Sequence, residues 1–425
     1  MKTNKTFLSC AVAFGLASVS TFTQAAGFQL AEYSATGLGR AYAGEAAMAD
    51  NASAQWRNPA MLTYLKGTQV SAGAIYVNPN VDVDGTVKHI DPRIGQTAAS
   101  SKDFAHDAVI PNFYLSHQLN EQVALGFALG TNYGMETDLG TDFAASHFGN
   151  QASVISKEAN LNIAYQILPQ LSIGGGVRYV MGEGHFGATA PAKNVLNRPQ
   201  GTTLKYMEGK DNSWGWQVGS AWQINDAHRL GFAYKSEVVM DFDGHAEGIF
   251  YGGKKPGMMS IALPATAELA SFHQLNEQWA IHASINWTDW SSFKELTAVF
   301  SDGPDPIKLE NWEDNYRFAI GTTYQYDAKL ALRAGVAYDT SAVDDKNRTA
   351  TIPETDRTWV SLGASYVATP QLTFDTGFTY IFAKDATINE PRDASDSLSA
   401  MFGGAFNGNV SGNVWLIGVQ ANYRF

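Results

Sequence analysis

At 425 residues the chain has room for roughly two or three soluble domains, or for one large closed sheet. Only 16% of its residues are charged, 12% are aromatic and 40 are glycine, which disfavours a cytoplasmic enzyme and suits a sheet facing lipid. The net charge of -12 disfavours nucleic acid and anionic surfaces as main partners.

Residues 1–25 read as a secretory signal peptide. Lys2 and Lys5 give a basic start, Phe7 to Val19 an apolar run, and Thr23-Gln24-Ala25 a cleavage site ahead of Ala26. Cys10 precedes most of the apolar run, whereas a lipoprotein cysteine follows it, so lipidation is not expected. Cys10 is the single cysteine and leaves with the signal, so disulfides and thiol chemistry are excluded from the processed chain. Losing Lys2 and Lys5 lowers the basic count from 29 to 27 and the net charge from -12 to -14.

Residues 26–66 do not alternate and are rich in small side chains, among them Gly37, Gly39, Ala41, Ala43, Gly44, Ala46, Ala47 and Ala49. Such a segment, with few charges, suits tight packing as a plug inside a barrel. Gly37-x-Gly39 fails as a nucleotide loop, because position 42 is Tyr and no βαβ unit surrounds it.

From residue 67 to 425 the period is two. In Lys329 to Asp339 the residues Leu330, Leu332, Ala334, Val336 and Tyr338 form one face, and Arg333, Gly335 and Asp339 the other. Val123-Leu125-Phe127-Leu129, Leu161-Ile163-Tyr165-Ile167 and Trp415-Ile417-Val419 repeat the pattern. Tight turns at Asn120-Glu121, Pro169-Gln170, Asn225-Asp226-Ala227, Asn276-Glu277, Asp327-Ala328 and Thr369-Pro370 alternate with long polar stretches, including 78–108, 186–211 and 241–258. The count is about 14 strands, short turns on one side and long loops on the other. No run of about 18 apolar residues is left for a spanning helix, so an exported chain crosses a membrane only as a closed antiparallel β-barrel. A mean hydropathy of -0.18 is no objection, since alternating strands average near zero. A soluble sandwich is disfavoured: its exposed face is charged, whereas here the non-apolar face is rich in Gly, Asn, Ser and Thr. The alternating aromatics that end on Phe425 resemble the C-terminal signature of bacterial outer-membrane proteins.

Two local patterns are weaker. Asn80-x-Asp82-x-Asp84-Gly85 with Asp91 resembles a calcium loop, but begins with Asn, ends with Asp, and reads equally as a strand extension. Ser146-His147 is an adjacent Ser–His pair, but neighbours in a strand point to opposite faces, so a lipid-cleaving enzyme is not expected.

Ala26-Gly27-Phe28-Gln29-Leu30, Gly37-Leu38-Gly39-Arg40-Ala41-Tyr42, Asn58-Pro59-Ala60 and Gly130-Thr131-Asn132-Tyr133-Gly134 together resemble FadL-type outer-membrane long-chain fatty-acid transporters. Trp279-Ala280-Ile281-His282, Tyr316-Arg317, Asn347-Arg348 and Asp356-Arg357 extend the resemblance over nearly the whole processed chain. It implies a monomeric 14-stranded barrel with an N-terminal hatch in its lumen, passing long-chain fatty acids without a cofactor. Aromatic hydrocarbons are the alternative substrate. Contacts outside are with membrane lipid and lipopolysaccharide.

By the same resemblance, ligand enters a groove between the third and fourth outer loops, then a tighter pocket closed below by Phe28. It leaves sideways where the third strand kinks beside Asn58-Pro59-Ala60. Gly130 and Gly134 tolerate the kink, Asn132 lies between them, and Asn58 bonds the freed backbone. Lys308 matches a basic residue that receives the ligand carboxylate. A second basic position falls on Ala188, so His185, Arg178 or another inward residue must substitute, or the ligand needs less of an anionic head. Arg317 and Arg333 are expected to face the lumen and pair with carboxylates there. Nothing resembles a coupling box for an inner-membrane motor, so passage is expected to be diffusive.

Overall fold

Alternating residues place every second side chain on the same face, and closing the sheet removes its edges. A computed structural model describes residues 27–425 and shows this closure; the expected signal peptide, and Ala26, lie outside the described residues. Fourteen antiparallel strands form the wall. They are β1 Thr68–Lys88, β2 Ala108–Gln118, β3 in two pieces (Val123–Gly130 and Gly134–Asp138), β4 Gln151–Leu168 and β5 Leu171–Thr189. Then come β6 Thr203–Asn225, β7 (His228–Lys235 and Val238–Glu247), β8 (Lys255–Leu263 and Thr266–Gln274), β9 Trp279–Thr288 and β10 Asn315–Gln325. The last are β11 Leu330–Asp339, β12 Arg357–Val367, β13 Leu372–Ala383 and β14 Ala405–Arg424. β1 pairs with β14 from Gln69↔Arg424 to Lys88↔Ala405, which closes the ring.

The two faces segregate as the alternation requires. Leu332, Val336 and Tyr338 are exposed on the outside of β11, while Arg333 is buried inside. Leu161 and Ile163 face out from β4; Asn160, Asn162 and Ala164 face in. All six expected tight turns fall between consecutive strands. The polar stretches are partly strand: β1 continues to Lys88 and pairs with Gln96–Ser101, so the calcium-like residues Asp82 and Asp84 lie in a ladder rather than a loop. Asp91 is engaged by Arg93.

The N-terminal segment holds two short helices, α1 Ala35–Leu38 and α2 Ala54–Arg57, with 3-10 turns at Glu45–Ala47 and Pro59–Tyr64. It is buried almost throughout and sits in the lumen. Its small residues are what permit contact with the wall: a Cβ on Gly39 would stand 2.8 Å from the Cα of Gly363 on β12. Ion pairs fix it as well. Arg57 meets Glu268 of β8 at 2.9 Å, and Arg40 meets Glu45 at 2.5 Å and Asp50 at 2.8 Å. Arg317 pairs with Asp339 at 2.9 Å and donates to the Ala41 carbonyl, and Arg333 lies 3.9 Å from Asp50, so both lumen arginines answer carboxylates.

Candidate functional site

The outer parts of β5 to β8 and the loop after β9 enclose an apolar pocket above the plug. β5 supplies Phe186, β6 Met207, β7 Phe242, β8 Met259, and the loop after β9 Phe293 and Phe300. About 870 Å³ of space lies between these walls, counting the open mouth. The expected stretches 186–211 and 241–258 both contribute to it. Phe28 forms part of the floor, 1% exposed, with ring centres 4.6 Å from Trp290, 5.7 Å from Phe293 and 6.1 Å from Tyr133. Gly27 precedes it with φ +62 between Trp290 and Trp312, where a Cβ would approach both rings to 2.5 Å.

Lys308 lines this pocket, 5% exposed, its Nζ 5.2 Å above the Phe186 ring. Two outer-loop carboxyls feel its field: burial pushes Glu390 up to about 7 and raises Glu310, against the pull of Lys308 and Arg392. Ala188 is buried, and the residue directly across from it on β6 is Lys205, on the same face as Met207. Of the substitutes expected from sequence, His185 lines the pocket, whereas Arg178 is committed elsewhere.

The wall is not continuous beneath the pocket. β2 and β3 pair up to Phe113↔Leu129 and touch again at Ala105↔Thr137; both pairs sum to 242, so the register survives a stretch in which β3 bends inward. The segment Thr131–Tyr133 interrupts β3, and the plug binds it there as an added strand. The Leu30 amide donates to the Asn132 carbonyl at 2.7 Å, and the Gly134 amide to the Phe28 carbonyl at 2.8 Å. On the other lip, Pro111 has no amide to leave unpaired, and the buried side chain of Asn112 has no hydrogen-bond partner among the described residues.

Behind the bend lies a buried polar chain. Asn132 donates to Glu158 at 2.5 Å; Arg178 holds Glu158 at 2.9 and 2.8 Å and donates to the Ser236 carbonyl at 2.9 Å. Lys235 donates to Asn132 at 3.2 Å and lies 4.4 Å above the Trp56 ring. The Tyr133 hydroxyl donates to the Pro264 carbonyl at 2.6 Å, where β8 is interrupted.

The structure therefore brings Phe28, Asn132 and Gly134 together and places Gly130 against Trp56, 3.0 Å from a built Cβ. Lys308 shares the pocket lining with Phe28 and, among the described residues, has no bond to the bend. Asn58, Pro59 and Ala60 lie elsewhere in the plug, and the expected bond from Asn58 to the freed backbone is not made. Its amide instead donates to the carbonyls of Ala46 at 2.6 Å and Ser220 at 3.0 Å, and its oxygen accepts from Ala60. The reason is distance along the wall: Pro59 and Ala60 pack on Gly174 of β5, while Phe28 to Leu30 occupy the bend. Sequence reading missed Tyr133, Trp290, Trp312, Glu158, Lys235 and Lys205. Ser146 and His147 are structural: each bonds a main-chain carbonyl, Thr189 and Gly404, and burial lowers His147 to about 4.

The sequence model of the family described as outer membrane protein transport protein (OMPP1/FadL/TodX) matches residues 16–425. Outer membrane protein P1 of Haemophilus influenzae is 35% identical over 94% of this chain and 95% of its own. A long-chain fatty acid transport protein of Escherichia coli O6:H1 is 33% identical over 99% of both chains. A Pseudomonas aeruginosa FadL homologue shares the fold at a TM-score of 0.83, with 21% identity over 94% of this chain and 99% of that one. The Pseudomonas putida toluene transporter TodX does so at 0.68, with 18% identity over 93% and 99%.

Proposed function

The chain belongs to the FadL/TodX family of outer-membrane transport proteins, and from that premise we propose that it takes up long-chain fatty acids by diffusion through its hatch-closed barrel. It is an outer-membrane transporter and not an enzyme. One observation carries the route: the floor of the apolar pocket, Phe28, is hydrogen-bonded to the third strand where that strand leaves its neighbour.

Capture begins on the loops, where Val195, Leu196, Leu398 and Met401 are exposed apolar side chains. A sixteen-carbon tail gains about 12 kcal/mol on leaving water, so capture is easy and release is the obstacle. Tail and carboxylate then divide in the pocket, the tail among Phe186, Met207 and Phe242, the carboxylate toward Lys308 with Lys205 in place of the missing base at Ala188. A tail pushing on Phe28 loosens the bonds to Asn132 and Gly134, and the bend between β2 and β3 becomes the exit into lipid. Each step keeps the tail out of water. Pocket, latch and exit lie within one chain, so a monomer suffices, with lipid and lipopolysaccharide around it.

Aromatic hydrocarbons are a second reading, favoured by the ring-rich lining of Phe28, Phe186, Phe242, Phe293 and Phe300. Uptake of labelled hexadecanoic acid by cells carrying this protein as their one such transporter tests the proposal. Uptake that disappears in cells without the protein supports it; no uptake by well-folded protein moves hydrocarbons to first place.

A further inference from the structure

The β3 bend is not the only place where neighbouring strands part. β6 and β7 pair up to Gln217↔Lys235, which sum to 452, and resume at Lys210↔Asp243, which sum to 453. The register slips by one residue, and Asp211 to Trp216 stand opposite Ser236 to Phe242 without a ladder. A few bonds bridge the ends. The Ser236 amide donates to Trp216 at 2.9 Å, and the Asp241 amide to the Asp211 carboxylate at 2.8 Å. Arg178 takes the freed Ser236 carbonyl. β7 here leans inward over glycines: Val238 lies on Gly215, Met240 on Gly182, and Phe242 on Gly209.

The parting lies between the outer edge of the apolar band and the pocket, and is closed here. Its outer lips are Trp214 and Trp216 on β6 and Val239 on β7, all exposed. Its inner end is closed by Met240 and by Phe242, which is itself part of the pocket wall. Glu237 lies ten residues beyond the turn residue Ala227; at about 3.3 Å per residue and a tilt near 40° that is about 25 Å up the wall, at the outer edge of a barrel's apolar band. The lips are acidic: Glu237 and Asp241 flank Val239 on the exposed face, while the neighbouring cations are engaged elsewhere, Lys235 and Arg178 buried on Asn132 and Glu158 and Lys210 opposite Asp243 where pairing resumes. Such a mouth repels a carboxylate and leaves an uncharged molecule unaffected.

We propose that the β6–β7 parting is a second lateral exit, through which uncharged apolar ligands pass from the pocket into the membrane without moving the Phe28 latch. The proposal rests on the reading that the pocket holds transported ligand. Rotation of Met240 and Phe242 opens it, and the polar chain from Asn132 to Ser236 ties this parting to the β3 bend.

A disulfide tests it, since residues 27–425 contain no cysteine. A built Cβ on Gly215 faces the Val238 side chain at 2.7 Å, so Gly215→Cys with Val238→Cys bridges the parting when oxidised. Val239→Trp fills the lip from outside and leaves the buried chain untouched, which guards against a misfolded double variant. The probes are labelled hexadecan-1-ol and hexadecanoic acid, equal in chain length and different in charge. Oxidation is expected to cut hexadecan-1-ol uptake at least tenfold and leave hexadecanoate within twofold of the reduced protein, with Val239→Trp behaving alike. Unchanged hexadecan-1-ol uptake, or an equal loss of both probes, overturns the proposal. Failure of wild type to take up either probe sinks the transport reading beneath it as well, and hexadecanoate uptake without hexadecan-1-ol uptake sinks this proposal alone.

Discussion

The amide of Gly134 is bonded to the carbonyl of Phe28, so the residue that floors the pocket is also a strand partner of the broken wall. Ring packing and backbone pairing meet at one residue: a shift of the Phe28 main chain away from Trp290 strains its bond to Gly134 and the neighbouring bond from Leu30 to Asn132. On the proposed route, latch and exit therefore form one mechanical unit.

Phe28→Ala removes a fully buried ring, a change that costs about 3–5 kcal/mol. The backbone bonds remain possible, so the barrel still forms. Faster dissociation of bound hexadecanoate than from wild type, measured on purified protein, is the expected outcome.

Glu158→Gln leaves the buried Arg178 guanidinium short of its counter-charge, at about 3–5 kcal/mol. The melting temperature in detergent falls. Adding Arg178→Met is expected to recover part of the loss, because the uncompensated charge is then gone; strict additivity of the two changes would argue against the pair.

Gly363→Val sets side-chain atoms against the plug, since even a built Cβ stands 2.6 Å from the Gly39 Cα. The plug seats poorly while the strands still pair. Single-channel recordings in planar bilayers are expected to show ion leakage absent from wild type.

Lys308→Met keeps the volume and removes the charge. A charged hydrogen bond contributes about 1.5–3 kcal/mol, so hexadecanoate affinity should drop roughly 10- to 100-fold. Hexadecan-1-ol affinity is expected to stay within twofold, and equal losses would mean Lys308 only shapes the pocket.

The plug carboxyl Glu32 and the loop carboxyls Glu354 and Glu390 are each raised by burial from 4.5 to about 7. The folded protein therefore holds protons that the unfolded chain has already released. Their stabilising effect is complete below about 4.5 and is lost as pH rises through about 7. Melting temperatures are expected to fall between pH 5 and 8, and Glu32→Gln to flatten part of that slope.

The barrel was legible because lipid and lumen demand opposite side chains at every step, as Leu332 and Arg333 show. The small residues of the plug were legible for a similar reason: only Gly39 and Gly363 allow their main chains to touch. The bend was half visible. Gly130 and Gly134 bracket it, but Thr131-Asn132-Tyr133 carries no turn signal, because the plug rather than local preference holds it inward. Assigning Asn58 to the bend failed because no local pattern says which wall strand a plug residue meets. Glu158 and Arg178 had a usable signal: two inward charges on strands joined by the Pro169-Gln170 turn. Trp290 and Trp312 had none, since they lie in loops without periodicity, and Lys205 becomes visible opposite Ala188 once the register is known.

Photolabelling of the wild-type protein in bilayers with a diazirine-bearing sixteen-carbon fatty acid tests the exit most directly. With peptides mapped after irradiation, the account predicts label on both lips of the bend, Val109 to Phe113 and Gly130 to Tyr133, as well as on Phe28. Label on the lower plug, from Met61 to Leu65, with both lips unlabelled, would contradict it and point to release through the barrel floor.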